Sequence, residues 1–329
     1  MVSLHDVAKR AGVSKSTVSR VVNDEYGVKQ STKDKVQQAI DELGYQTNLV
    51  ARDLKSQRTN LVGVIVPRVA SNATSQGVDG LSLAFEEAGK QVLLASTQLS
   101  YQKEIDFIKL FNQKRVEGII LYATHLDEAL VSAISNSQAP VVLVGQDGSL
   151  FNIPSIVHDD LRVGFAAGSR LVEAGCENIG FMGVASKDIA VDKLRYQGLE
   201  QALMFKNKRE PIFHSHGDFS IESGFEQATE LLKQYPDLDG LFCATDRIAI
   251  GAIKAIEQSD KRVGKDIKVL GVGNDELGFV SSPSLSTFSY TFDKAGESAA
   301  KTLLELIDGQ PAVTSKVVLS FTAVDRDTC

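Results

Sequence analysis

The sequence predicts an α/β protein in which an N-terminal three-helix helix-turn-helix domain is followed by a two-lobed core of doubly wound parallel sheets. Three observations carry this. Apolar residues recur at helical spacing through the first 45 positions, the pattern switches at Leu61 to short, continuous β-branched runs, and the charge divides unevenly along the chain. Residues 1–60 hold ten Lys/Arg against seven Asp/Glu, a balance of +3. The whole chain is −7, so the remainder is −10.

The first helix is read from Leu4, Val7, Ala8 and Ala11, the second from Val18, Val21 and Val22, the third from Val36, Ala39, Ile40 and Leu43. Gly12 supplies a turn and Ser14 an N-cap between the first two; Ser31 or Thr32 caps the third, which ends at Gly44. The polar stretch from Thr47 to Asn60 holds one two-turn helical segment, Leu49 to Lys55, too short to be stable alone in water. The runs LVGVIVP, QVLLAS, GIILYA, PVVLVG, NIGFMGV, GLFCATD and VLGVGND then alternate with helical stretches, the signature of strands buried on both faces beneath helices. The alternation restarts near Asp159. The expected domains are therefore 1–47, a linker 48–60 and a core 61–329, with lobe one at about 61–158 and 286–316 and lobe two at about 159–285 and 317–329.

A basic head on an acidic body suits a small polyanion-binding unit. As the second helix of a helix-turn-helix, Ser14 to Val22 buries Val18 and Val21 and turns Lys15, Ser16, Ser19 and Arg20 outward. Lys15 and Ser16 are the base-reading candidates, and Arg20 has the fork for a bidentate contact to guanine, a contact of about 1–3 kcal/mol of discrimination.

Ligands of doubly wound sheets sit beyond the carboxyl ends of the strands. The polar residues there are Arg68, then Thr124 and His125, then Gln146 and Asp147; in the second lobe Ser186 to Lys193, then Thr245, Asp246 and Arg247, then Asn274 and Asp275. Tyr290 and Phe292 are expected to offer an aromatic face from a strand crossing between lobes.

An enzyme is disfavoured: there is no Walker A loop, no GxGxxG opening the first βα unit and no GxSxG elbow. His214 and His216 alternate along a strand or loop with no third metal ligand near them in sequence, so no metal and no cofactor are expected. Cys176, Cys243 and Cys329 suggest neither a disulfide framework nor a zinc site and fit a reducing compartment. MVSLHDVAKRAG has no apolar core of a signal peptide and no apolar run approaches a membrane span, so a cytoplasmic protein is expected rather than an exported sugar receptor.

LHDVAKRAGVSKSTVSRVVND resembles the DNA-binding head of the LacI/GalR family of bacterial transcriptional regulators, and GYQTNLVARDL resembles that family's hinge. The resemblance implies a periplasmic-binding-protein-like core, a homodimer on operator DNA and a small sugar effector. It adds Thr17, Asn23, Asn48, Ala51 and Arg52 to the expected DNA contacts, and it matches Leu54 to a leucine wedged into the minor groove. It matches Arg195 to an arginine that holds sugar hydroxyls and sets Asn274 where many members have an aspartate. LFCATDRIAIGA, GVGN and the spacing of Asp188 and Arg195 are similar to the trehalose-operon branch, which implies a sugar-phosphate effector, trehalose 6-phosphate, touching Arg68, Asp188, Arg195 and Arg247. Gln146 and Phe292 depart from that branch.

Overall fold

The computed structural model describes residues 2–22, 25–45, 59–184, 187–208 and 210–329. It divides into two compact units, Met1–Thr59 and Asn60–Cys329.

In the first unit α1 spans Leu4–Ala11, α2 Lys15–Val22 and α3 Gln30–Leu43. Ser3 and Asp6 close a capping box on α1, and Gly12 ends it in the left-handed region at φ +67°, where glycine carries no Cβ penalty. Ser14 Oγ accepts the Thr17 N–H at 3.1 Å and so caps α2. The helical periodicity becomes a core of Val7, Ala8, Val18, Val36, Ala39 and Tyr45. The start of α3 differs from expectation. Lys29 is its N-cap, and the Thr32 and Lys33 N–H groups already bond to the Lys29 carbonyl, so Ser31 and Thr32 lie inside the first turn.

The second unit carries β1 (Leu61–Val66), β2 (Gln91–Ser96), β3 (Gly118–Tyr122), β4 (Val141–Val144), β5 (Ser155–His158) and β6 (Ile179–Gly183). After these come β7 (His214–His216), β8 (Gly240–Cys243), β9 (Lys268–Val272), β10 (Ser286–Tyr290), β11 (Lys316–Leu319) and β12 (Phe321–Val324). They form two six-stranded sheets, ordered β11-β5-β4-β3-β1-β2 and β12-β10-β9-β8-β6-β7. Every pairing is parallel except β10 with β12. The continuous apolar runs are explained by burial on both faces: β4, β6 and β8 are buried at every position.

The chain passes between the lobes after β5, after β10 and between β11 and β12. The expected boundaries move accordingly. Ser286–Tyr290, read from sequence as part of lobe one, is a strand of the second sheet because it pairs with β9 and β12. Residues 317–319, read as lobe two, belong to the first sheet through β5. The helices Asp160–Glu173 and Arg195–Phe205 meet backbone to backbone. A Cβ on Gly164 would lie 2.0 Å from the Arg195 carbonyl oxygen, and one on Gly198 2.0 Å from that of Leu161. This approach sets Asp160 and Arg195 side by side at the foot of the interlobe cleft. Among the described residues no helix is long and apolar enough to cross a membrane.

Candidate functional site: interlobe cleft and exposed α2

On α2, Lys15, Ser16 and Arg20 are exposed while Val18 is fully buried. Arg20 stands 4.0 Å from Glu25, with well over half of its side chain in solvent, so its fork is available to a partner. Part of the hydroxyl row is used locally: Ser14 Oγ lies 2.8 Å from both Ser16 Oγ and Thr17 Oγ1. Thr17 and Ser19 are half-buried. Asn23, Asn48, Ala51, Arg52 and Leu54 fall outside the described residues.

A cleft of about 210 Å³ opens between the lobes of the second unit. Arg68, Thr124, Gln146, Asp188, Arg195, Thr245, Arg247 and Phe292 all line it. They come from five strand ends and one crossover, which is why the sequence signal was positional. Gln146 joins the lobes: its Nε2 donates to the Thr124 carbonyl in its own lobe and to Asp188 Oδ1 across the cleft, both at 3.1 Å. Asp188 Oδ1 also accepts the Val191 N–H at 3.0 Å, and Thr245 caps the helix Asp246–Glu257.

At the foot, Asp160 Oδ1 accepts from Arg195 Nε and from the Tyr290 hydroxyl, both at 2.8 Å, and Arg195 Nη2 stands 2.7 Å from it as an ion pair. Arg195 Nη1 donates to the Ala244 carbonyl. Nε and Nη1 are thereby engaged in hydrogen bonds, and the guanidinium keeps further N–H groups for a ligand. Burial works against the Arg195 charge, and Asp160 overcomes it and raises the pKa above the ordinary value.

The remaining polar groups favour an anionic, hydroxyl-rich ligand. Arg68 is half-buried, 5.1 Å above the Phe219 ring, and its pKa is lowered by burial and then by Arg247. Among the described residues no carboxylate stands within salt-bridge distance of Arg68 or Arg247, and Asp218 acts on Arg68 from farther off. Three buried polar atoms on the cleft wall, Asn72 Nδ2, Tyr122 Oη and His158 Nε2, have no hydrogen-bond partner among the described residues. Buried polar groups are nearly always paired, so an unpaired trio on one wall marks a place for ligand hydroxyls. Burial, then Arg195, pushes His158 down to about 3, so its ring is neutral. Asp188 is pushed up to about 6 by burial against its hydrogen bonds, and Asp246 likewise to about 6.

Residues 3–48 match the model for bacterial regulatory proteins of the lacI family, and residues 169–329 match a periplasmic binding protein-like domain. The sucrose operon repressor of Staphylococcus xylosus is 34% identical over 310 residues, 94% of this chain and 95% of that protein. The chain belongs to the LacI family. Another LacI-family relative, the HTH-type transcriptional regulator TreR of Salmonella typhimurium, is 30% identical over 309 residues, 94% of each chain. Among solved structures, the lac repressor dimer bound to operator and the anti-inducer ONPF superposes with a TM-score of 0.92 at 29% identity, covering 99% of this chain and 98% of that one. The complex of the regulator CelR with cellobiose superposes with a TM-score of 0.75 at 26% identity over the full length of both chains. This LacI-family chain is thus a transcriptional regulator with the two-lobed α/β core expected of it.

Several sequence-predicted residues lie elsewhere. Asn274 does not line the cleft: at φ +52° its Oδ1 accepts from Arg326 Nη2 at 2.6 Å, while its neighbours Gly273 and Asp275 form the wall. Asp275 keeps a carboxylate there, so the cleft is not short of the charge that Asn274 lacks. Tyr290 is buried beneath Arg195 with its hydroxyl on Asp160 and presents no face to the cleft; Phe292 does. His125 packs on Tyr101 and Asp147 pairs with Lys316. Asn72, Tyr122, His158 and Glu104 were missed, because the first three read as ordinary cap, strand and crossover residues. Glu104 sits one helix back, accepting from Thr124 N and Oγ1 at 3.2 and 2.8 Å. His214 and His216, left without a third ligand by sequence spacing, have Asp192 between them.

Proposed function

We propose that the chain is an operator-binding repressor that acts as a homodimer and is released by a sugar phosphate held in the interlobe cleft. The observation that carries this reading is the cleft lining itself: two guanidinium groups with no carboxylate at salt-bridge distance among the described residues, in one cleft with three buried polar groups that lack a hydrogen-bond partner there. Guanidinium forks recognise phosphate, and the amide, phenol and imidazole suit sugar hydroxyls. Trehalose 6-phosphate is the first candidate, on the sequence resemblance to the trehalose-operon branch; the disaccharide named for the Staphylococcus relative and the cellobiose of CelR support a sugar of that size. Lys15, Ser16 and Arg20 of α2 read bases and hold phosphates, and Leu54 serves as the minor-groove wedge. Effector acts by changing the lobe arrangement that Gln146 and Asp188 latch. By linkage, operator must then weaken effector binding by the factor that effector weakens operator binding.

The test is a gel shift at one fixed salt concentration, with an operator selected from random duplexes by the full chain and titrated with trehalose 6-phosphate, trehalose and glucose 6-phosphate. Release is expected at the lowest concentration of trehalose 6-phosphate. Arg247→Ala is expected to raise the sugar phosphate needed by about 10- to 150-fold, the worth of a charged hydrogen bond of about 1.5–3 kcal/mol, and to leave the response to a neutral sugar unchanged. Release by neutral and phosphorylated sugars at equal concentration would remove the anion from the reading.

The dimer is assigned to the apolar outer face of lobe one. Leu81 and Phe85 are fully buried on the helix Asn72–Glu87, while Leu83 between them is 65% exposed. Leu93 and Leu94 are exposed on β2, the edge of its sheet. An apolar edge of this kind is ordinarily covered. Leu83→Asp is expected to convert the dimer into a folded monomer in sedimentation velocity; a dimer that persists at low concentration places the interface elsewhere.

A further inference from the structure

We propose that Asp192, His214 and His216 form a site for a zinc-class divalent metal ion on the flank of lobe two, a site that stands whether or not the cleft takes a sugar phosphate. β7 alternates its side chains, so His214 and His216 share one face, with ring centroids 4.3 Å apart. Their Nε2 atoms lie 3.1 Å from Asp192 Oδ1 and 3.4 Å from Asp192 Oδ2. Bonds of about 2.0–2.2 Å from a zinc put neighbouring ligand atoms about 3.3–3.5 Å apart. Each imidazole stands close to that distance from one carboxylate oxygen, and one ligand atom from each of the three residues lies within 4.8 Å of the others. Two imidazoles and one carboxylate select a transition metal over magnesium or calcium, which take oxygen ligands.

The surroundings hold the ligands in place. Asp192 is buried, its Oδ1 accepts the Val184 N–H at 3.0 Å, and its ion partners among the described residues are the two histidines alone. Gly183 makes room for it: a Cβ there would sit 2.0 Å from Asp192 Oδ1. The His214 ring is stacked on Tyr196 at 4.0 Å and 22°. Exposure rises outward, from 2% for the Asp192 side chain to 20% for His214 and 42% for His216, leaving the outer side open for a water as fourth ligand.

Asp192 belongs to the π-helical segment Ile189–Leu194, four residues after Asp188 and three before Arg195. Interrupted turns of this kind recur at functional sites. An ion on Asp192 ties β7 to the segment that Asp188 and Arg195 flank, so metal occupancy bears directly on the cleft wall.

The experiment uses the full chain, stripped with a chelator and dialysed, then titrated with Co²⁺ while its visible ligand-field absorption is followed, and afterwards with Zn²⁺ as competitor. One saturating equivalent with tetrahedral bands, displaced by Zn²⁺, is expected. His216→Gln, at a solvent-facing position that does not threaten the fold, is expected to abolish the bands and weaken Zn²⁺ at least about tenfold, with His214→Gln doing the same. Zn²⁺ should also raise the melting temperature of the wild-type chain and not that of His216→Gln. Absence of a saturating equivalent, or bands and affinity unchanged in His216→Gln, overturns the site and leaves two histidines hydrogen-bonded to one carboxylate.

Discussion

Arg195→Ala is expected to destabilise the two-lobed unit by about 3–5 kcal/mol, in addition to abolishing the response to effector. The sequence assigned this arginine to ligand alone. In the fold it is 6% exposed, wrapped on Asp160 through Nε and Nη2 and on the Ala244 carbonyl through Nη1. Its removal leaves a carboxylate that is 4% exposed without its counter-charge, and burial already pushes Asp160 up. The Tyr290 hydroxyl is the one donor left to that oxygen. The cost comes chiefly from the stranded charge rather than from the lost pair, which the double variant Arg195→Ala with Asp160→Asn reveals. Removing the charge with its partner should recover a large part of the stability and none of the effector response. Urea unfolding of the wild type and the two variants checks this. An Arg195→Ala midpoint equal to that of the wild type would mean that water reaches Asp160 and that the pair is not structural.

A second large effect concerns pH. Glu104 is fully buried; Oε1 accepts from Thr124 while Oε2 has no partner, and burial pushes its pKa up to about 7 from an ordinary 4.5. The folded state therefore holds this proton more tightly than the unfolded chain between those values. Stability from this group is fully present below about pH 4.5 and is lost as pH rises through about 7, amounting to on the order of 2–3 kcal/mol. Asp188 and Asp246, raised to about 6, act with the same sign at lower pH. The loss due to Glu104 falls between about pH 4.5 and pH 7, a range in which His158, held neutral in the fold, acts with the opposite sign. Glu104→Gln keeps an oxygen acceptor for Thr124 and has no proton to lose, so the stability of the wild type relative to this variant should fall as pH rises from about 4.5 through 7. Equal slopes in the two proteins would place the ionisation elsewhere. Thr124 passes its carbonyl to Gln146, and Gln146 reaches Asp188, so the same titration bears on the latch between the lobes.

Local and periodic features were legible in advance. The core of the first unit followed from 3.6-residue spacing, since Val7, Ala8, Val18, Val36 and Ala39 are buried where one helical face demands it. The two sheets followed from continuous apolar runs, because a parallel strand is covered by helices on both sides and shows no alternation. Even the cleft was half legible: Arg68, Gln146, Asp188, Thr245 and Arg247 stand just past the carboxyl ends of apolar runs, and strand ends of parallel sheets face one crevice. The reading failed where identity depends on neighbours distant in the chain. Asn274 and Asp275 differ by one position, and only the positive φ at Asn274 and its bond to Arg326 decide which of the two meets the cleft.

The sequence by itself determined the class of molecule: a basic helix-turn-helix head, an acidic two-lobed α/β core and the family to which they belong. Those properties reside in periodicity, charge and short motifs, each of which is written within a few turns of chain. Tertiary structure alone decided the electrostatics, because burial and partnership arise only when segments far apart meet. Asp160 joined Arg195 across a helix pair, Glu104 was sealed behind Thr124, and Asp192 was set between two histidines more than twenty residues away. No spacing in the chain encodes those encounters, and they are what give the same residue types their separate chemistry.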